Sequence, residues 1–263
     1  MDKRDWIRGY LQTIDEQLAL DPHNEMLWLY KGICYLDMDD RPGTIQALTQ
    51  GIAKCPEYGR LLEERGHRYI NVGQYEKAAA DLALAHAWYP DDHSVCYHLG
   101  LAHYLMAEYA RAERSFRNCV DACSVFGDTV SAVNWLWNTL QHEGKTQEAA
   151  DLLATVPLDV DESPEGVSGY YRLLMMYKGI RTPEEIIAAV DQNPVGFVTM
   201  GYGVYNYYYY VAKDTARAEA LLNTILSEEA QPWQMGYDKA TWEAGFGYRG
   251  AVTERYRRTI YPN

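Results

Sequence analysis

The sequence has no run of about 18 apolar residues, so no membrane-spanning helix is expected. Basic residues are in short supply: 24 Lys and Arg stand against 37 Asp and Glu, a formal net charge of -13. Phosphate binding depends on clustered Lys and Arg, so this balance argues against nucleic acid and equally against an anionic membrane surface. It permits basic partners. Cysteine is sparse as well. The five are scattered and odd in number, which argues against a disulfide framework and for a reducing cytoplasm. The opening residues, Met1-Asp2-Lys3-Arg4-Asp5-Trp6, contain no apolar stretch of the kind that a secretory signal requires. A cytoplasmic location is the expectation.

Signatures of chemistry are equally thin. No HExxH occurs, and no nucleophile elbow marks a hydrolytic serine. Gly245-Phe246-Gly247-Tyr248-Arg249-Gly250 fits GxGxxG, but a dinucleotide fingerprint needs a preceding strand, and Trp242-Glu243-Ala244 does not read as one. Cys119 and Cys123 are spaced i, i+4, and Cys96 and His103 are a heptad apart. A mixed Cys/His metal site needs such a convergence, yet Cys96, His103 and Cys119 fall where the chain needs core residues, and buried structural cysteine is the commoner state. Glu63-Glu64 and Glu184-Glu185 are adjacent in sequence, so on a helix they point about 100° apart and form no carboxylate dyad. No catalytic residue, cofactor or metal is expected.

What the sequence does contain is a repeat. Trp28, Gly32, Tyr35, Leu48 and Pro56 are answered 34 residues later by Leu62, Gly66, Tyr69, Leu82 and Pro90, and then by Cys96, Gly100, His103, Ala112 and Phe116. A period of 34 fits a pair of helices of about 13 residues joined by short turns. One such hairpin cannot bury both apolar faces, and stacked copies supply the missing surface. Large residues on helix A (Trp28, Leu62, Cys96) fill the groove against helix B. Glycine further along lets a neighbouring backbone approach, and Ala78 and Ala112 mark where the two helices touch. Pro56 and Pro90 stop helix B.

These residues resemble the tetratricopeptide repeat family, with Leu62 to Pro90 and the turn Gly73-Gln74-Tyr75-Glu76-Lys77-Ala78 matching best. The resemblance covers residues 24 to 124 well, continues to 156 and fades beyond. It implies an all-α, right-handed superhelical solenoid whose concave groove is lined by A helices and binds peptides or proteins, usually without catalysis.

Taken in order, residues 4 to 20 read as a capping helix with Trp6, Ile7, Tyr10, Leu11, Ile14 and Leu18 on its apolar face. Repeats follow at 24–56, 58–90 and 92–124, with Ser124 in place of the terminal proline. A fourth, with Val133, Trp137 and Leu140 buried and Gly144-Lys145-Thr146-Gln147-Glu148-Ala149 as its turn, is displaced by about three residues near Gly127-Asp128. The acidic stretch Pro157 to Gly166 is either a subdomain break or, preferably, a long inter-repeat loop. The chain thus divides into 1–156, a cap plus four repeats, and 157–263, divergent hairpins continuous with the same solenoid. In the second part Thr182-Pro183-Glu184-Glu185 signals a helix start. A Tyr-rich A helix (198–211) precedes Lys213-Asp214-Thr215-Ala216, and residues 238–258 form a last helix. Trp242, Phe246 and Tyr256 cover the core, and Arg249, Arg255, Arg257 and Arg258 face water.

The expected groove comprises Leu29, Tyr30 and Ile33; Arg60, Glu63, Glu64, His67 and Asn71; Tyr97, His98, Leu101 and Tyr104; and Asn134, Trp135, Asn138 and Gln141. Aromatic and amide side chains, rather than Lys and Glu, suit a binding wall. The Lys/Asn/Asn/Lys/Arg clamp by which part of the family holds a terminal carboxylate has no counterpart, because Leu29, Ile33, Glu64, Ser94 and His98 occupy those places. Three functional readings remain: a scaffold binding a protein or peptide in the groove, a helical enzyme or small-molecule receptor with a pocket at 198–211, and a structural subunit forming a homo-oligomer through its Tyr-rich end.

Overall fold

The computed structural model describes residues 2–123, 125–160, 165–190, 194–227 and 245–260. Among them are a capping helix α1 (Lys3–Leu20) and a series of helix hairpins, with no strand. The hairpins are α2 (Glu25–Asp37) with α3 (Arg41–Lys54), α4 (Gly59–Asn71) with α5 (Tyr75–Trp88), and α6 (His93–Leu105) with α7 (Tyr109–Asp121). They continue with α8 (Phe126–His142) and α9 (Thr146–Thr155), then α10 (Glu165–Tyr177) and the short α11 (Pro183–Ala188). α12 (Pro194–Asn206) runs into a π-helical turn (Tyr207–Val211) before α13 (Thr215–Leu226), and α14 (Phe246–Ile260) ends the described chain. The architecture is an all-α solenoid of repeated hairpins.

The turns explain the period. Each hairpin bends at a residue in the left-handed region: Asp39 (φ 61), Gly73 (75), Ala107 (58), Gly144 (72), Gly179 (76) and Lys213 (54). The first three are 34 residues apart, and Gly144 arrives three residues late, where the displaced fourth repeat was expected. A left-handed backbone costs an L-residue about 1–2 kcal/mol, a penalty that glycine escapes. Ala107→Gly is therefore expected to stabilise the chain by about 0.5–1 kcal/mol after the entropy of the unfolded glycine is counted. A urea midpoint at or below that of the wild type would rule this out.

Packing within a hairpin is set by the repeated glycine of helix A. A Cβ on Gly32 would lie 3.0 Å from Leu48, one on Gly66 2.6 Å from Leu82, and one on Gly100 2.6 Å from Phe116. The close neighbour is thus a side chain of helix B rather than a backbone. Trp28, Leu62, Cys96, Ala78 and Ala112 are all buried as the repeat requires, and so are Val133, Trp137 and Leu140. Helix starts are capped by side-chain oxygens. Asn24 accepts from the Leu27 N–H, Asp40 from Gly43 and Asp214 from Arg217. Thr182 and Glu185 form a reciprocal capping box at α11.

Contacts divide the chain into two compact units inside α6, between Leu99 and Gly100. In the first unit, α1 buries Ile7, Leu11, Ile14 and Leu18 against a core that includes Trp28, Leu48 and Leu61. Trp6 and Tyr10, expected on that face, instead stack on each other and are exposed, at 55% and 39%. In the second unit, α9 is tied to the end of α10 by Lys178, whose Nζ donates to the Leu153 and Val156 carbonyls at 2.9 and 2.7 Å. Part of the acidic stretch 157–166, all of Trp242 and Ser124 lie outside the described residues.

α14 departs from expectation. Its buried face carries Gly247, Gly250, Ala251 and Glu254, while Tyr256 is 67% exposed. The GxGxxG glycines have a packing role. A Cβ on Gly247 would fall 2.1 Å from the Val198 carbonyl oxygen and one on Gly250 would meet the Tyr202 ring, so α14 lies against the α12 backbone. Arg257 and Arg258, expected in water, turn toward Glu254.

Candidate functional site

The A-helix residues expected to line a groove behave differently in the two units. In the first, α2 presents Met26, Tyr30 and Ile33 one turn apart on one face, 39–41% exposed. Tyr30 and Ile33, both 41% exposed, are the most open residues of the expected set. Arg60 is half-buried and already engaged: Nη1 donates to Glu63 and Nη2 to Asp92, both at 2.7 Å, and its guanidinium covers the Tyr89 ring. It therefore ties α4 to the start of α6. Glu63, Tyr97 and His98 are buried, whereas His67 and Asn71 are half-buried.

His67 on α4 and His98 on α6 stack with ring centroids 4.0 Å apart. Arg68 Nη2 lies 2.6 Å from His67 Nδ1. A guanidinium only donates, so this nitrogen must be the acceptor and His67 is a neutral imidazole with its proton on Nε2. Burial pushes the His67 pKa strongly down, and His98 and Arg68 add to the effect. Burial likewise lowers His98 to about 4, against a raising contribution from Ser94. The stack is an uncharged bridge between successive A helices.

In the second unit the corresponding face is filled by the chain itself. Tyr104, Asn134, Trp135 and Asn138 are 0–2% exposed. The Tyr104 hydroxyl meets that of Tyr202 at 2.7 Å and His142 Nε2 at 2.8 Å. Tyr177 donates to Asn134 at 3.3 Å and lies beside Asn138. The Trp135 ring sits 5.0 Å from Tyr104 and 5.9 Å from Tyr202. No open wall remains at these four positions, because tyrosines of α10 and α12 reach across the face that an isolated repeat would leave free.

A polar centre that the repeat pattern did not single out closes this interior. Glu254 of α14 is fully buried. His142 Nε2 lies 3.1 Å from its Oε1, while Tyr205 and Arg257 donate to Oε2 at 3.3 and 3.1 Å. The Tyr210 hydroxyl lies 2.8 Å from His142 Nδ1 and Tyr109 stacks on the imidazole at 4.4 Å. Burial lowers the His142 pKa to about 4, although Glu254 works against this. The run Tyr205–Tyr210 was the available signal: Tyr205 is buried in the centre and Tyr207 to Tyr210 are half-buried.

A groove of about 630 Å³ opens between α11 and α13, next to the π-helical turn. Among the described residues no three His, Cys, Asp or Glu side chains converge as metal ligands would, and no helix is long and apolar enough to cross a membrane.

No protein-family model matches the sequence, and no curated protein matches it. Among solved structures the chain is similar to MamA, with a TM-score of 0.51 and 20% identity over 58% of this chain and 91% of that one. It is also similar to a tetratricopeptide repeat protein from Parabacteroides merdae, with a TM-score of 0.51 and 13% identity over 91% of this chain and 94% of that one. At these identities the likeness establishes the fold, which is that of tetratricopeptide repeat proteins.

Proposed function

We propose that this chain, with its tetratricopeptide-repeat fold, is a non-catalytic cytoplasmic scaffold that binds a protein or peptide on the A-helix face of its first unit. The observation that carries the reading is the exposed apolar stripe of α2, Met26, Tyr30 and Ile33, on a face continued by the half-buried polar side chains of Arg60, His67 and Asn71. Exposed aromatic and aliphatic groups rimmed by polar ones are the composition of interaction sites. The inner face of the second unit offers no comparable stripe at Tyr104, Asn134, Trp135 and Asn138, since α10 and α12 cover them.

The test uses positions whose change leaves the core intact. Tyr30→Ser/Ile33→Ser should alter stability by less than about 0.5 kcal/mol per site and reduce recovery of a partner from native lysate at least about tenfold, equivalent to roughly 1.4 kcal/mol. Equal recovery by a folded double variant would remove the first-unit face from consideration. Tyr97 and Trp135 are unsuitable for this purpose because both are buried.

The alternative reading, a small-molecule or enzymatic pocket at the Tyr-rich hairpin, draws support from the groove beside Tyr208. Its floor is apolar and it lies open between two helices, which suits an extended macromolecular surface better than an enclosed reactant.

A further inference from the structure

We infer that the groove between α11 and α13 is a second docking surface, and that its occupant is an amphipathic helix of a partner protein carrying an apolar stripe and basic residues. The groove originates in the length of α11. The B helices α3 and α5 have 14 residues each, whereas α11 has six. Its last residues, Ile187 and Ala188, form one wall, Ala220 and Leu221 of α13 form the other, and Val204 of α12 lies in the floor. Apolar side chains on two helices above a buried valine form the kind of channel that takes the i, i+3, i+4 stripe of a third helix.

Charge at the mouth selects the occupant. Arg217 is the cation there, and its Nε lies 3.2 Å from Asp214 and its Nη1 3.7 Å from Glu184. One guanidinium thus faces two carboxylates. The Glu184 side chain remains 68% exposed, with the Tyr208 hydroxyl donating to it at 3.4 Å. Tyr208 stands on the π-helical turn (Tyr207–Val211), a distortion that is frequent at functional sites. Glu184 and Arg217 line the groove and offset each other, and Asp214 beside them leaves an excess of one negative charge among the three. An apolar stripe flanked by Lys or Arg complements it, and one flanked by Glu does not.

The test employs the full chain and two fluorescein-labelled synthetic helices of equal length, one built from Leu and Lys and the other from Leu and Glu with the same apolar stripe. Anisotropy titrations are run at about physiological ionic strength. Two variants probe the groove: Ala220→Trp fills it and Glu184→Lys reverses its mouth. Both positions are exposed, and circular dichroism verifies the fold. The Leu/Lys helix should bind at least about tenfold tighter than the Leu/Glu helix and lose at least about tenfold in each groove variant, while Tyr30→Ser/Ile33→Ser leaves it unchanged. That last variant separates this surface from the first-unit face. Four results would overturn the inference: no binding of the Leu/Lys helix, equal affinity for both helices, affinity unchanged by Ala220→Trp, or loss only in Tyr30→Ser/Ile33→Ser. Two others would replace the occupant and overturn it as well. Self-association abolished by Ala220→Trp would assign the groove to a second copy, and saturation by octylamine with displacement of the peptide would assign it to a small cationic amphiphile.

Discussion

Glu254→Ala should destabilise the chain by about 3–5 kcal/mol, the cost expected when one partner of a buried charge cluster is removed. The carboxylate is fully buried and holds together groups from three directions: His142 of α8, Tyr205 of α12, and Arg257 and Arg258 of its own helix. Removing it leaves the Arg257 guanidinium, only 23% exposed, beside the His142 imidazole with its negative partner gone. Arg258 keeps Glu219 at 2.8 Å, so Arg257 bears most of the loss. Urea unfolding followed by circular dichroism gives the magnitude, and Glu254→Gln should lie between the wild type and the alanine variant because it retains the shape and one acceptor. A Glu254→Leu/Arg257→Leu double variant should recover part of the loss, since removing both charges abolishes the desolvation cost as well as the attraction. A loss below about 1 kcal/mol in Glu254→Ala would mean that the carboxylate does not hold α14 in place.

Whether an element was legible in the sequence depends on how far along the chain its contacts reach. The pairing of Gly32 with Leu48 and of Gly66 with Leu82 repeats at a fixed short separation, so the period itself encodes it. The turn at Gly73 and the cap at Thr182 are local, and composition marks them. Periodicity also says which side of an A helix points away from its hairpin partner, and Tyr30 is indeed open. It does not say whether that side stays open. Tyr104 meets Tyr202 across 98 residues, and no repeat rule specifies that encounter. The same limit explains Glu254. A lone Glu among arginines reads as a solvated face until the helix carrying it is placed against α12, where Gly247 and Gly250 permit close approach. Trp6 and Tyr10 illustrate the converse. Both satisfy a helical apolar spacing, but the stripe of Ile7, Leu11, Ile14 and Leu18 already fills the available partner surface.

Acidification from pH 7 toward 4.5 should weaken the fold through His98 and His142, one in each unit. Both are neutral in the native chain, and burial, the largest cause, holds each pKa at about 4, against about 6.5 for an unfolded histidine. Above pH 6.5 neither state is protonated and these residues contribute no pH dependence. Between 6.5 and 4 the unfolded chain binds protons that the native chain refuses, so stability falls as pH falls. Below 4 both states are protonated and the loss levels off. Each difference amounts to as much as about 3 kcal/mol over the whole interval. Burial of His67 acts with the same sign. Glu64 and Glu143, whose carboxyls burial raises, act in the opposite direction, whereas Glu113, held down to about 2 by Lys145 and Arg117 despite partial burial, loses its contribution only in stronger acid. Urea midpoints measured at several values between pH 7 and 4.5 follow the sum of these contributions, and histidine variants separate the two imidazoles from the carboxyls. His98→Gln and His142→Gln should each flatten the slope, and the two effects should add, because the residues lie in different units. Parallel slopes for the wild type and both variants would show that the two imidazoles take up protons in the native chain as readily as in the unfolded one, which the stack with His67 and the contacts with Tyr104 and Tyr210 do not allow.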